Sequence, residues 1–360
     1  MTGIHNERIK KLLEHMAEQE ADAFIIHSVQ NLFYLTGFLA HEAGYLIIDR
    51  TRTRLLTNFI YAVQARPYFD AIEGGELIDA KGKSSDLIKE ILSDKEKVLF
   101  EGTLPYNEYK KFCDLTSDKV LHANNSILSG MRIIKHECEV NSIRKALELT
   151  EKGLEYIFTY IRAGMKECQI RAELERYLTE NGAQGMSFDS IIAAGKNSAF
   201  PHAKTGNTPV LDGDFLKMDF GIVIDGYCSD LTRTVVIGHA SDRHKEIYET
   251  VKSAQAAAIE AIKPGMKGRE ADAVARDVIV KSGNGEFFGH GLGHGVGIDI
   301  HEAPRLAMLS EEILKPGMVA TVEPGIYLPG FGGVRIEDMV LITDTGCMSL
   351  NKSDRELTVI

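Results

Sequence analysis

Residues 216–238 read LKMDFGIVIDGYCSDLTRTVVIG and decide the fold of the second half of this 360-residue chain. Two strand-like stretches flank Asp225-Gly226, a dipeptide typical of a two-residue hairpin turn. That turn places Gly221 opposite Asp230, so that Asp219 becomes a diagonal neighbour of Asp230 on the same face. Two carboxylates so close repel each other, and one keeps its proton unless a cation lies between them. The pattern therefore predicts a β-hairpin that carries a cation site.

Two further apolar stretches contain acids or histidines that an ordinary core strand avoids. Residues 289–304 read GHGLGHGVGIDIHEAP and include His294, whereas residues 319–343 read VATVEPGIYLPGFGGVRIEDMVLIT. The second stretch predicts a strand, a wide turn and a strand, with Glu323 and Glu337 fourteen residues apart. Each stretch thus adds metal-binding side chains to those of the first hairpin.

Four carboxylates and one imidazole make up the candidate ligand set, and their four formal negative charges balance two divalent ions. The residues are Asp219, Asp230, His294, Glu323 and Glu337. An oxygen-rich set with one nitrogen and no sulfur suits manganese, cobalt or iron better than a structural zinc. We predict two divalent metal ions, with manganese first and cobalt, iron or zinc as alternatives.

Other interpretations of these stretches are weaker. Residues 219–221 read DFG, but no catalytic loop of the protein-kinase type precedes them and no glycine-rich nucleotide loop opens the chain. Residues 289–297 contain no GxGxxG, so the dinucleotide fingerprint is missing. His290 is predicted to be structural, since His294 has the better-matched sequence around it.

The five residues, in this order and in these contexts, resemble the metal-dependent Xaa-Pro peptidases, the prolidase and aminopeptidase P family. The resemblance covers the second half of the chain and, more loosely, the first. It implies a pita-bread catalytic fold with two metal ions. Carried over residue by residue, it implies that Asp219 binds one ion and that Asp230 and Glu337 bridge both. His294 and Glu323 would bind the other ion.

The resemblance also implies roles for five residues outside the carboxylate pairs. His202 matches a histidine at the mouth of the active site, and His301 matches one that contacts the scissile carbonyl or the developing oxyanion. Arg335 matches an arginine beside the bridging ligands. Phe188 is placed like a wall against the proline ring, and Arg305 like a prolidase arginine that binds the free carboxylate of a dipeptide. Phe188 is equally well interpreted as a core residue, and Arg305 as a solvated arginine.

The implied reaction is hydrolysis of the bond before proline, a tertiary amide without an N–H. The resemblance implies a metal-bridging hydroxide as nucleophile and Glu323 as proton shuttle. Our main hypothesis is an Xaa-Pro dipeptidase, a metallopeptidase acting on small peptides with proline at the second position. An aminopeptidase P acting on longer peptides is the alternative. A non-catalytic peptide-binding scaffold on the same fold is a third hypothesis, which the complete ligand set opposes.

The chain divides into two predicted domains. Alternating helical and strand patterns over residues 1–128 predict an α/β leading domain, creatinase-like in the resembled family. Residues 129–360 are predicted to form the α+β pita-bread catalytic domain. Helical patterns at residues 242–262 and 268–282 are each expected to be followed by a ligand-bearing hairpin region, so that helices followed by such a hairpin occur twice. This repetition agrees with the pseudo-twofold helix and β-hairpin halves of the resembled fold.

Composition restricts the partners. The net charge of −11 disfavours nucleic acid, and 44% hydrophobic residues suffice for substantial cores. No apolar run is long enough to span a membrane, and the amino terminus has no signal-peptide pattern. The five cysteines lack a CxxC pair, which favours a reducing compartment. We expect a cytoplasmic protein and, from the resemblance, a homodimer.

Overall fold

A computed structural model describes residues 2–40, 44–116 and 119–360. The chain forms two compact units, Met1–Arg132 and Ile133–Ile360. The helix Ser126–Arg132 belongs to the first unit and runs through the boundary expected at residue 128. Among the described residues, no helix combines the length and the apolarity needed to cross a membrane.

The first unit is a mixed sheet with helices between its strands. Its helices are α1 (Thr2–Glu18), α2 (Val29–Thr36), α3 (Phe59–Phe69), α4 (Ser84–Ile91), α5 (Tyr106–Leu115) and α6 (Ser126–Arg132). Its strands are β1 (Ala23–Ile26), β2 (Tyr45–Asp49), β3 (Thr53–Thr57), β4 (Gly75–Asp79), β5 (Lys97–Phe100) and β6 (Val120–Ala123). The strand order is β4-β3-β2-β1-β5-β6, with β1 antiparallel to β2 and parallel to β5. All four residues of β1 are buried, which explains its unbroken apolar sequence AFII. The predicted α/β leading domain is confirmed.

The second unit contains the sequence stretches that predicted the cation site. Its helices are α7 (Glu137–Tyr160), α8 (Glu167–Glu180), α9 (Asp242–Ala261) and α10 (Gly268–Lys281). Its strands up to the second helix pair are β7 (Gly185–Met186), β8 (Ile191–Ala194), β9 (Phe215–Phe220), β10 (Ile222–Ile224), β11 (Tyr227–Cys228) and β12 (Leu231–Val236). The later strands are β13 (Gly293–Gly295), β14 (Glu302–Leu306), β15 (Val319–Val322), β16 (Gly325–Leu328), β17 (Gly332–Arg335), β18 (Asp338–Ile342) and β19 (Cys347–Ser349).

The second unit repeats one arrangement twice. Helix α7 packs on α8 and is followed by the hairpin of β9 to β12, whereas α9 packs on α10 and is followed by the hairpin of β15 to β18. Each half has its own buried apolar cluster, centred on residues such as Leu174 in the first and Val251 in the second. The predicted α+β fold with pseudo-twofold halves is confirmed.

The first hairpin opens where its acids lie. Phe220 pairs with Leu231 on one side and Val223 pairs with Cys228 on the other, so one register continues across the gap and Gly221 faces Asp230 as predicted. A Cβ atom on Gly221 would lie 1.9 Å from the carbonyl oxygen of Ser229. The turn itself has left-handed backbone angles, with φ of 51° at Asp225 and 77° at Gly226. Both glycines are therefore required by geometry.

The second hairpin opens in the same way. Val322 pairs with Asp338 and Gly325 pairs with Arg335, a register that places Glu323 opposite Glu337. Pro324 lies in the gap and has no N–H for the ladder. The N–H of Glu323 donates to Leu292 at 2.8 Å and that of Glu337 donates to Thr232 at 3.1 Å. Because these hydrogen bonds leave the hairpin, both glutamates are anchored to residues outside it, Thr232 in β12 and Leu292 just before β13.

The replacement Gly221→Ala tests the close approach inside the first hairpin. The added methyl group meets the Ser229 carbonyl, so the free energy of unfolding of the metal-free protein should fall by about 1–3 kcal/mol. Urea denaturation measures the change. Gly185→Ala in β7 is the matched control, because a Cβ atom there meets nothing within 4 Å. Equal stability of the two variants would contradict the proposed constraint.

Candidate metal centre

One cavity of about 430 Å³ in the second unit brings the predicted site residues together. Its lining includes every residue that the sequence assigned to the site: Phe188, His202, Asp219, Asp230, His294, His301, Arg305, Glu323, Arg335 and Glu337. The two hairpins supply the acids of this set, β13 supplies His294, and loops supply much of the remainder. The cavity therefore combines a strongly acidic floor with basic and apolar groups.

Three side chains have the geometry of a metal site. Asp230, His294 and Glu337 are buried, and each offers one ligand atom within 4.8 Å of the other two. The Nε2 atom of His294 also lies 3.6 Å from Asp230 Oδ2 and 3.4 Å from Glu323 Oε1. The imidazole thus faces carboxylates from both hairpins.

The hydrogen bonding of His294 prepares it for a cation. Its Nδ1 lies 3.1 Å from the carbonyl oxygen of Gly295, which can only accept, so the ring proton belongs on Nδ1. Burial lowers the pKa of His294 to about 4, and the ring is neutral at pH 7. The lone pair of Nε2 therefore points into the acidic cluster, which is the form of histidine that binds metals.

The carboxylates are too close to be ionised together without a cation. Burial and mutual repulsion raise the pKa of Asp230 and of Glu337 well above the ordinary value. The same burial raises the pKa of Glu323 to about 7. Arg335 supplies one positive charge, in an ion pair with Asp219 and 3.9 Å from Glu323. When all four carboxylates are ionised, the single guanidinium leaves three negative charges uncompensated. This donor set fits divalent metal ions.

Two threonines that sequence reasoning missed orient the acids. Thr232 Oγ1 donates to Glu337 at 2.5 Å, and Thr321 Oγ1 donates to Glu323 at 3.1 Å. Thr321 also accepts from the backbone N–H of His294 at 3.0 Å. Both threonines are fully buried. Each lies two residues from an acid at the end of its own strand, a spacing that could have identified them.

A chain of hydrogen bonds connects Arg335 to His290. Arg335 Nη1 donates to the Tyr327 hydroxyl at 2.8 Å, and that hydroxyl lies 2.8 Å from His290 Nε2. His290 Nδ1 donates to the carbonyl of Gly291 at 2.7 Å, so the tyrosine O–H donates to Nε2. Burial lowers the pKa of His290 to about 3 and raises that of Tyr327 to about 12. Both nitrogens of His290 are occupied by hydrogen bonds, in agreement with its predicted structural position.

A buried lysine also adjoins the site and was missed. Lys217 is fully buried in β9, where its Nζ donates to the carbonyls of Phe200 at 2.6 Å and Pro201 at 3.1 Å. The only signal for it was a lysine inside an apolar strand sequence, FLKMDF. Pro201 precedes His202, so this contact lies beside a predicted site residue.

The outer part of the cavity is basic and more open. His202, His301 and Arg305 are exposed, and Phe188 is half-buried. The ring of His301 lies 4.4 Å from that of His294, between centroids. Partial burial and the nearby charge of Arg305 lower the pKa of His301 below its ordinary value. A neutral, N–H-bearing imidazole therefore stands next to the candidate ligands.

Family models and relatives agree on the class of protein. Residues 141–344 match metallopeptidase family M24, and residues 8–134 match the creatinase/prolidase N-terminal domain. An Xaa-Pro dipeptidase of Pyrococcus furiosus is 40% identical, with 98% of this chain and 99% of the relative covered.

Solved structures with similar folds cover nearly the whole chain. An Xaa-Pro dipeptidase from Bacillus anthracis is 38% identical with a TM-score of 0.94, covering 99% of this chain and 100% of its own. An X-Pro aminopeptidase from Thermotoga maritima is 34% identical with a TM-score of 0.90, covering 98% and 100%. Both units of the chain are therefore represented in these relatives.

Metal binding to chelator-treated protein should release protons. The raised pKa of Asp230 and Glu337 and the pKa of about 7 at Glu323 favour protons on the metal-free site, and a bound cation displaces them. We expect about one proton or more per protein on addition of Mn²⁺, measured with an indicator dye in weak buffer. Because protons compete with the cation, metal affinity should fall as the pH is lowered from 8 to 5.

The replacement Glu337→Gln should reduce this release, since it removes one proton-holding carboxyl group. Glu260→Gln, an exposed acid of α9, is the matched control and should release as many protons as the unmodified protein. An unmodified protein that binds Mn²⁺ at pH 7 without releasing protons would contradict the electrostatic interpretation.

Proposed function

We propose that this chain, which belongs to metallopeptidase family M24, is an Xaa-Pro dipeptidase. It would hydrolyse the peptide bond before proline. The observation that carries the proposal is the convergence of Asp230, His294 and Glu337 in a cavity whose rim presents Arg305. Full-length similarity to Xaa-Pro dipeptidases supports it.

The acidic floor would hold two divalent metal ions. We assign Asp219 to one ion, Asp230 and Glu337 to both, and His294 and Glu323 to the other. Manganese is our first candidate because the ligand atoms are mainly carboxylate oxygens. When bound, such ions polarise a carbonyl and lower the pKa of a water molecule toward neutrality.

Glu323 is our candidate for proton transfer. Its carboxyl group faces the cavity, and Thr321 holds one of its oxygens at 3.1 Å. We propose that it takes the proton of the attacking water and passes it to the departing proline nitrogen. That nitrogen leaves as an amine only when a proton is supplied, because an amide anion is a poor leaving group.

We propose that two exposed histidines contact the carbonyl that is attacked. His301 lies beside His294, and its lowered pKa keeps the ring neutral at pH 7. A neutral ring retains one N–H, which would donate to the developing oxyanion. We assign His202, on the cavity wall, to the same substrate group or its neighbour. Arg335 positions Asp219 through its ion pair and holds the Pro201 carbonyl at 3.2 Å.

Substrate length would be set by the exposed end of the cavity. We propose that the guanidinium of Arg305 pairs with the free carboxylate of a dipeptide and that Phe188 packs against the proline ring. A second candidate function is an aminopeptidase acting on longer peptides, which the similarity to the X-Pro aminopeptidase from Thermotoga maritima favours. A silent peptide-binding scaffold is opposed by the complete set of metal-binding side chains.

The proposal also covers the oligomeric state, location and partners of the protein. We propose a homodimer in the cytoplasm, acting on small proline-containing peptides without nucleic acid or membrane partners. The acidic net charge of −11 disfavours nucleic acid as a partner, and the five free cysteines favour a reducing compartment.

Replacement of Arg305 separates the two peptidase functions. In a dipeptidase, Arg305→Gln should raise KM for Xaa-Pro by about 10- to 100-fold, since a charge-assisted hydrogen bond is worth about 1.5–3 kcal/mol. Cleavage of the amide Xaa-Pro-NH2, which lacks the carboxylate, should change little. Steady-state kinetics with both substrates measures the contrast, and Arg243→Gln, an exposed arginine of α9, serves as control. Equal or better cleavage of Xaa-Pro-Yaa by the unmodified enzyme would contradict the dipeptidase assignment.

Replacement of ligands and of His301 separates metal binding from turnover. Asp230→Asn and Glu337→Gln should abolish hydrolysis and lower the metal content, because we assign both acids to both ions. His301→Ala should keep its metal and lose about 100- to 1,000-fold in kcat, as expected for an oxyanion donor. Metal analysis and peptide assays check each variant. If His301→Ala lost its metal instead, the roles of His294 and His301 would have to be exchanged.

A further inference from the structure

A lysine and a candidate metal ligand share one face of β9. Side chains two residues apart in a strand point to the same side, so Lys217 extends toward the cavity together with Asp219. Lys217 is fully buried, although lysine is almost never fully buried without a partner. Its Nζ lies 5.0 Å from the centre of the Tyr327 ring. The side chain therefore ends beside the site without lining its cavity.

The partners of Lys217 are main-chain oxygens. Its Nζ donates to the carbonyls of Phe200 and Pro201, and no ion pair joins it to an acid among the described residues. Burial lowers the pKa of Lys217 well below the ordinary value, and an amine donates to two carbonyls in either protonation state. Burial of an amine costs free energy, and the two hydrogen bonds to carbonyls offset part of this cost.

The two carbonyls belong to the segment that carries His202. Pro201 immediately precedes this histidine, and its carbonyl also receives Arg335 Nη1 at 3.2 Å. Arg335 comes from β17 and Lys217 from β9, so donors from both hairpins hold the same peptide group. The Phe200 side chain is exposed, so this residue is attached to the rest of the fold through its main chain.

We propose that Lys217 is a positioning residue, which holds the carbonyls of Phe200 and Pro201 so that the adjacent His202 faces the substrate. The proposal rests on the proposed function for the role of His202, and it assigns Lys217 no contact with substrate or metal. Misplacement of a site group by about 1 Å can cost about 100-fold in rate, so a hydrogen-bonded anchor has a measurable effect.

Lys217→Met tests the proposal, because methionine keeps an unbranched apolar stem and removes the amine. Two measurements on the full chain apply. Hydrogen exchange of the metal-free protein should become faster in the peptide that contains residues 200–202. With metal restored, kcat/KM for an Xaa-Pro dipeptide should fall by about 10- to 100-fold while metal content stays unchanged.

A double-mutant cycle identifies the residue through which Lys217 acts. Lys217→Met should reduce kcat/KM no further when His202→Ala is already present, since the effect passes through that histidine. Multiplication of the two losses would overturn the proposal, as would unchanged exchange of residues 200–202. If Lys217→Met fails to fold, Lys217→Gln takes its place in the same cycle with the same criteria.

A control separates positioning from general destabilisation. Leu174→Ala opens a space in the core of the first half at a residue that does not line the site cavity, and should lower the melting temperature without changing kcat/KM. If the unmodified enzyme did not cleave Xaa-Pro peptides, the proposed function would fail. The exchange of residues 200–202 would still decide whether Lys217 holds the segment.

Discussion

Repulsion between buried carboxylates is the constraint on which the rest of the second unit depends. Two hairpins from two similar halves meet with their acids facing one cavity, and burial together with mutual repulsion raises the pKa of Asp230 and Glu337. Such a floor is stable only with cations, oriented donors or retained protons. The structure supplies the donors from the same strands that carry the acids.

The supporting groups follow a single rule of strand geometry. Each acid has a buried polar side chain two residues away on its own strand or at its end, and that side chain contacts another part of the site. The four pairs are Lys217 with Asp219, Asp230 with Thr232, Thr321 with Glu323, and Arg335 with Glu337. Since the side-chain period of a strand is two, every acid and its companion point to the same face. The hairpins thus bring support and ligand to the cavity as one unit.

The sequence predicted what is local and missed what is tertiary. The Asp225-Gly226 turn determined the register of the first hairpin, and the fourteen-residue spacing of Glu323 and Glu337 predicted the second. The gap in the second ladder was not predicted, because Glu323 and Glu337 donate their backbone N–H groups to residues outside the hairpin, Leu292 and Thr232. Lys217 was missed for the same reason. Its partners lie in a loop sixteen and seventeen residues earlier, where no sequence pattern indicates them.

A cation bound between the two hairpins would also link two distant parts of the chain. Residues 230 and 337 lie 107 positions apart, yet their carboxylates approach within the span of one small cation. A cation held by both would act as a reversible cross-link that closes this long loop. The entropy of loop closure grows only slowly with length, by about 0.6 kcal/mol per doubling, so closing so distant a pair costs little more than closing a near one. The same acids that repel each other in the metal-free fold would then stabilise the fold by holding the cation that joins the two hairpins.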